Sequence, residues 1–215
     1  MKLSNLYSLL VALLMFVTLG CGKEKVQEQS SQKLNEKKET LHQNKSADQK
    51  EVAGKTDGNI KLYKVDKTEK SAGKKIAPNF YWTEDGKQMS LKDLKGNVVL
   101  VNFWATWCGP CIREMPDLSS INSELKDKNF KMIGMNVFQQ PSSKKVEDFL
   151  KTNPVSYTIL DGNQELVDAF SAADGTNIEA VPTTFIINKE GKITETIVGG
   201  RDKASFLKSI NKYLN

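Results

Sequence analysis

The chain has 215 residues, 39% of them hydrophobic and 27% charged, which suits one domain of ordinary size with an additional segment. Its net charge of +5 belongs to the N-terminal part: residues 22–75 hold 14 lysines and 9 acidic residues, whereas residues 76–215 hold 16 basic and 17 acidic residues. The balanced C-terminal part gives no support for nucleic-acid binding.

The first twenty residues are typical of an export signal. Lys2 precedes a mostly apolar stretch, 9–19, that is too short to span a bilayer comfortably. Gly20-Cys21 then resembles a bacterial lipoprotein processing site, although Thr18 stands where such sites prefer leucine. The resemblance implies that residues 1–20 are removed and that Cys21 carries a lipid. An ordinary secretory signal or an uncleaved anchor are the alternatives, and each of the three exports the domain.

Residues 22–75 contain one aromatic residue and many lysines, glutamines and serines. Such a composition buries too little apolar surface to offset chain entropy. We therefore predict that 21–75 comprises the lipidated cysteine and a disordered Lys-rich tether, with at most a short extended piece at Ile60, Leu62 and Val65. The folded domain is predicted to span 76–215.

Alternating apolar and polar patterns predict the elements of this domain. A hairpin turns at Asp85-Gly86, and a dense apolar strand follows at 98–104. Leucine, isoleucine and methionine at spacings of three and four then predict an amphipathic helix over roughly 108–125. The remaining elements are a strand at 131–137, a helix near 146–150, a strand at 157–160, a helix at 164–170, strands at 184–187 and 193–198, and a final helix capped by Asp202.

Between the apolar strand and the amphipathic helix lies Trp107-Cys108-Gly109-Pro110-Cys111. A CxxC at the start of a helix indicates a redox dithiol, because unpaired N–H groups and the helix dipole favour a thiolate there. Cys108 is expected to be the solvent-facing, attacking thiol, and Cys111 can reach back to resolve a mixed disulfide. Pro110 suits a first helical turn, and Gly109 keeps the approach to Cys108 open.

A structural disulfide or half of a zinc site would explain the same two cysteines. Zinc needs about four ligands, and the remaining cysteine and histidine, Cys21 and His42, lie far upstream. We therefore expect no metal. Three cysteines is an odd number for an exported protein, and lipid on Cys21 leaves Cys108 and Cys111 as a self-contained pair.

The stretch FWATWCGPC resembles a thioredoxin-fold active site, and residues 76–215 resemble the TlpA/ResA-like thiol–disulfide oxidoreductases of the bacterial envelope. This resemblance implies an α/β thioredoxin-like fold with a central mixed β-sheet flanked by helices, an N-terminal hairpin and a strand–helix insertion at 157–170. It also implies a catalytic role for Pro182, in cis and facing the dithiol, and backbone contacts from Val181 to an extended substrate.

Three further positions complete the expected site. Glu114 follows Cys111 by three residues on the same helical face, where a carboxylate can exchange protons with a thiol, or can simply be an exposed helix residue. Asn102 stands where thioredoxins usually carry a buried aspartate, and an amide cannot titrate. Trp107, with Gly109, Pro110 and Val181, is expected to dock substrate, although packing alone would also explain this tryptophan.

The leading functional hypothesis is an enzyme, a membrane-tethered thiol–disulfide oxidoreductase that reduces disulfides of exported proteins, with cytochrome c maturation as a candidate pathway. It needs no cofactor beyond the Cys108–Cys111 disulfide. Its expected partners are exported protein thiols, a membrane thiol reductant and the bilayer through Cys21, and the protein is expected to be a monomer on the extracytoplasmic side of the envelope. The alternatives are a disulfide oxidant or isomerase and a non-catalytic binding module.

Overall fold

The computed structural model describes residues 60–214. The expected signal peptide, Cys21 and most of the expected tether lie outside these residues. The strands are β1 (Leu62–Thr68), β2 (Phe80–Glu84), β3 (Lys87–Ser90), β4 (Val98–Trp104), β5 (Phe130–Asn136), β6 (Thr158–Asp161), β7 (Thr183–Ile187) and β8 (Ile193–Val198). The helices are α1 (Gly109–Glu124), α2 (Val146–Thr152), α3 (Gln164–Asp174) and α4 (Lys203–Leu214), with a 3₁₀ turn at Leu91–Leu94.

The eight strands form one mixed sheet in the order β3-β2-β1-β6-β5-β4-β7-β8. β1, β6, β5 and β4 run parallel to one another, and the antiparallel hairpins β2–β3 and β7–β8 complete the two ends. The predicted α/β class, the N-terminal hairpin and the strand–helix insertion, β6–α3, are therefore confirmed. No helix within the described part of the chain is both long and apolar enough to cross a bilayer.

Strand β4 lies inside the sheet and is buried along its whole length, as its dense apolar run predicts. Leu100 and Trp104 pack into a core cluster with α1 and α4, whereas Val101 and Phe103 pack into a second cluster with α3. Both faces of β4 are therefore covered, and its carboxyl end is held firmly where α1 begins.

The hairpin turn and the helix cap that the sequence predicts are both present in the structure. Asp85 and Gly86 both have positive φ, 51° and 79°, which the primed turn of a two-residue hairpin requires. The Asp202 carboxylate accepts a hydrogen bond from the Ser205 amide at 2.8 Å, at the start of α4.

The predicted boundary between tether and domain, at residue 76, is wrong. Residues 62–68, which we assigned to the tether, form β1 inside the sheet, where it pairs with both β2 and β6. Leu62 and Val65 lie partly buried against the two core clusters. The physical reason is that pairing on both sides stabilises a segment whose lysine-rich composition alone would not fold.

Candidate active site

The dithiol occupies the junction between β4 and α1. Cys108 is the N-cap residue of α1, and its sulfur is bonded to that of Cys111, with the two Cα atoms 5.3 Å apart. The backbone N–H of Cys111 donates to Cys108 Sγ at 3.2 Å. In the reduced protein this N–H and the helix N-terminus stabilise negative charge on Cys108, which is the property an attacking thiol needs.

Both cysteines are more covered than the sequence suggested. Cys108 is 3% exposed and Cys111 is fully buried. Cys108 is therefore the more exposed of the two cysteines, as expected, but almost all of its surface is covered. Trp104 and Ala105, which precede Cys108 and are completely buried, pack in the same core cluster and account for this cover. Only a small part of the Cys108 surface is therefore accessible from outside the protein.

The Val181–Pro182 peptide bond is cis, as predicted, and lies beside the dithiol. The Val181 carbonyl oxygen lies 3.5 Å from Cys108 Sγ, and the Pro182 carbonyl accepts from the Gly199 amide at 2.8 Å. The fold thus brings the backbone of Val181, 73 residues away in the chain, against the Cys108 sulfur.

Trp107 is an exposed lip of the site, with 44% of its surface accessible. Its indole N–H donates to the Phe138 carbonyl at 2.8 Å, and this contact fixes the orientation of the ring. Gly109 and Pro110, between the two cysteines, are also exposed. These positions are compatible with the docking role that the sequence suggested.

A contact with the loop at Gln139, which the sequence did not predict, supports the turn before Cys108. The hydroxyl and the amide of Thr106 both lie within hydrogen-bond distance of Gln139 Oε1, at 3.2 and 3.3 Å. The Gln139 amide in turn donates to the Lys144 carbonyl at 3.1 Å. Thr106 and Gln139 are 33 residues apart, and no local pattern marks such a contact.

Glu114 lies beneath the surface, which excludes the alternative of an exposed helix carboxylate. The residue is 3% exposed. Its Oε1 accepts from Asn102 Nδ2 at 2.8 Å, and its Oε2 accepts from the Arg201 amide at 3.3 Å. The inward-facing side of α1 therefore carries an acid between β4 and the loop before α4.

Burial raises the pKa of Glu114 from an ordinary 4.5 to about 7, and the hydrogen bonds from Asn102 and Arg201 oppose this rise. A carboxyl group with such a pKa can both give and take a proton near neutral pH. A Cβ atom on the exposed Gly200 would lie 3.5 Å from Glu114 Oε2. Because glycine has no side chain, less protein separates the Glu114 carboxyl group from solvent at this point. Glu114 is therefore suited chemically to proton transfer.

Within residues 60–214 no three or more His, Cys, Asp or Glu side chains converge in a way that could hold a metal ion.

The Redoxin family model matches residues 71–214. The chain belongs to the Redoxin family. The thiol-disulfide oxidoreductase ResA of Bacillus subtilis (strain 168) is 33% identical over 141 residues, which cover 65% of this chain and 72% of ResA. These matches make the chain a ResA-like protein of the thioredoxin fold and a thiol–disulfide oxidoreductase.

Two solved structures support the same assignment. A thiol:disulfide interchange protein of the thioredoxin family from Chlorobium tepidum TLS is 35% identical with a TM-score of 0.58, covering 67% of this chain and 99% of that protein. An exposed lipoprotein thioredoxin of Streptococcus pneumoniae strain TIGR4 is 25% identical with a TM-score of 0.51, covering 62% and 98%. Substrates of this ResA-like chain are therefore protein thiols and disulfides.

Replacing Glu114 with glutamine should change how stability depends on pH. The folded pKa of about 7 exceeds the ordinary 4.5, so the folded protein binds more protons between these values and loses stability as pH rises through them. The loss amounts to about 3 kcal/mol and is absent in Glu114→Gln. The free energy of unfolding of the variant, relative to the oxidised parent, should therefore increase from pH 5 to pH 8.

Urea unfolding of the oxidised proteins at both pH values measures this difference. Glu165→Gln is the matched control, because Glu165 is an exposed helix glutamate. A Glu114→Gln variant whose relative stability stayed constant over this range would show that the acid titrates normally.

Proposed function

We propose that this ResA-like protein reduces disulfides of exported proteins at the bacterial cell envelope, where a lipid on Cys21 holds it to the membrane. The observation that carries the reductive direction is the Gly109-Pro110 dipeptide between the cysteines. Thioredoxin, which shares this dipeptide, has a potential of about −270 mV and is a reductant.

The proposed catalytic cycle uses the two cysteines in turn. The Cys108 thiolate attacks one sulfur of the substrate disulfide, which releases a substrate thiolate and leaves a mixed disulfide. Cys111 then attacks Cys108 Sγ, releases the second substrate thiol and closes the Cys108–Cys111 bond. Two electrons pass to the substrate, and a membrane thiol reductant restores the dithiol by the reverse exchange.

Glu114 supplies the proton transfer that the buried Cys111 requires. Cys111 has no exposed surface, so water cannot freely take its proton before the resolving step. Glu114 follows it by one helical turn and titrates near neutral pH. The carboxylate accepts the Cys111 proton as the resolving thiolate forms, and it later passes that proton to solvent beside Gly200.

Substrate binding uses the backbone and the lip around the opening. In the reduced protein an extended segment of substrate pairs with the Val181 backbone beside cis-Pro182, and its apolar side chains contact Trp107. Gly109 and Pro110 are exposed next to Cys108, and Gly109 adds no side chain of its own there. The small exposed area of Cys108 favours flexible substrate segments over folded surfaces. Exported apoproteins awaiting haem, as in cytochrome c maturation, are substrates of this kind.

The redox state of the pair in living cells tests the direction of electron flow. Thiols are alkylated in acid-quenched cells with a reagent that adds mass, and the two states are separated on a gel. A reductase is held mostly in the dithiol form by its electron donor. Steady-state accumulation of the disulfide form in unstressed cells would instead identify an oxidant.

Lipidation of Cys21 is a separate prediction, motivated by the apolar stretch 9–19 and Gly20-Cys21. Mass spectrometry of the mature protein from membranes should find Cys21 as the N-terminal residue, carrying a diacylglyceryl group. Cys21→Ser should release the protein from the membrane fraction or leave its signal uncleaved. A mature N-terminus at another residue would contradict the lipoprotein assignment.

A further inference from the structure

A buried amide connects the acid of α1 to the sheet. Asn102 in β4 is 1% exposed and Thr184 in β7 is 1% exposed. The two residues face each other across the antiparallel pair β4–β7. Asn102 Nδ2 donates to Thr184 Oγ1 at 2.9 Å and to Glu114 Oε1 at 2.8 Å. Both amide protons of Asn102 are thereby directed to oxygen atoms.

This arrangement distinguishes the two protonation states of Glu114. An amide N–H that points at a carboxyl oxygen stabilises the carboxylate more than the neutral acid. The hydrogen bond to Thr184 fixes the amide plane, so that a proton of Asn102 points at Oε1 without side-chain rearrangement. Thioredoxins usually carry a titrating aspartate at the position of Asn102. Here the Asn102 amide does not titrate itself but influences the titration of Glu114.

We propose that Asn102, oriented by Thr184, is a positioning residue that holds the Glu114 carboxylate in place and favours its ionised form. The proposal rests on the proton-transfer role of Glu114 proposed above, and it goes further by naming the groups that set that role. Asn102 acts only through Glu114, since its amide neither titrates nor attacks a substrate.

Other charged or titratable groups also lie near Glu114, and their effects on its pKa can be separated from that of Asn102. Arg201 contributes its amide and a nearby positive charge, both of which lower the pKa of Glu114. Burial and the charge of Glu114 raise the pKa of the Tyr157 hydroxyl above its usual range, so this group stays neutral. Cys111 lies one turn earlier on α1 and does not titrate while it is in the disulfide. In the oxidised protein Glu114 is thus the group whose titration reports on Asn102.

The test follows the Glu114 carboxyl carbon by NMR in oxidised protein labelled with ¹³C-glutamate, with the resonance assigned by its loss in Glu114→Gln. The parent should show a midpoint at about pH 7. Asn102→Leu, which keeps the branched shape but has no donor, should raise the midpoint by about one pH unit or more. Thr184→Val should raise it by a smaller amount, because the amide remains but loses its anchor.

Asn136→Leu is the matched control. Asn136 is a fully buried asparagine on the neighbouring strand β5, and its amide lies near the Trp104 carbonyl rather than Glu114. This control should lose stability and leave the Glu114 midpoint unchanged. If Asn102→Leu does not fold, Thr184→Val decides the matter. A midpoint unchanged in the folded variants, or moved equally by Asn136→Leu, overturns the proposal.

Turnover gives a second readout that separates this proposal from the one on which it rests. The pH profile of disulfide reduction should move upward in Asn102→Leu, and Asn102→Leu should cause no such movement in a Glu114→Gln background. A carboxyl midpoint that moves without any movement of the turnover profile supports positioning by Asn102 and refutes proton transfer by Glu114.

Discussion

Cys108→Ser should lower the rate of disulfide reduction by at least about 10³-fold, whereas Cys111→Ser should stop turnover after the first step. Serine at position 108 cannot form a thiolate or a bond to substrate sulfur, so no mixed disulfide arises. Serine at position 111 leaves the attacking thiolate in place but removes the group that resolves the intermediate. The measurements are insulin reduction and mass spectrometry of the covalent adducts.

The two variants form a matched pair, since each removes one sulfur from the same site and both lose the internal disulfide. Only Cys111→Ser should accumulate an adduct with a peptide disulfide, and dithiothreitol should release it. Thermal unfolding of both variants beside the reduced parent controls for damage to the fold. Adducts on Cys108→Ser and none on Cys111→Ser would reverse the assigned roles of the two cysteines.

Removal of β1 should have the second large effect. A fragment that starts at residue 73 lacks the strand between β2 and β6, which separates the β2–β3 hairpin from the rest of the sheet. Partly buried Leu62, Tyr63 and Val65 each contribute about 1 kcal/mol, and the lost ladder hydrogen bonds contribute a similar sum. The fragment should therefore be less stable by roughly 3–6 kcal/mol, a large share of the total stability of a small domain.

A fragment that starts at residue 60 is the control, because it retains β1 and lacks only residues outside the described part. Chemical unfolding of the two fragments and of the chain from residue 22 gives three free energies. The fragments from 22 and 60 should agree within about 0.5 kcal/mol. Equal stability of the fragments from 60 and 73 would show that β1 adds nothing to the fold.

The sequence predicted much of the fold and the centre of the site, because the signals there are local. The apolar run of β4 and the CxxC at the start of α1 lie within fifteen residues of one another. The first indicates a buried strand and the second a redox dithiol. The cis peptide at Pro182 was predicted by resemblance rather than from local physics, since most X–Pro bonds are trans.

The features that sequence reasoning missed depend on partners far along the chain. β1 shares the lysine-rich composition of the segment before it, and only its pairing with β2 and β6 identifies it as part of the domain. The burial of Glu114 depends on Asn102 and on the Arg201 amide, 87 residues later. A carboxylate at a helical position is exposed in most proteins, so spacing alone could not place it inside.

The reduction potential of the Cys108–Cys111 pair tests the proposed reductase most directly. The oxidised protein, from residue 60 to the C-terminus, is equilibrated with dithiothreitol buffers of known potential, and the dithiol fraction is determined by alkylation and mass spectrometry. The reductase function predicts a midpoint near that of thioredoxin, at about −270 mV. A midpoint at about −180 mV or above, in the range of disulfide isomerases and oxidants, would contradict it.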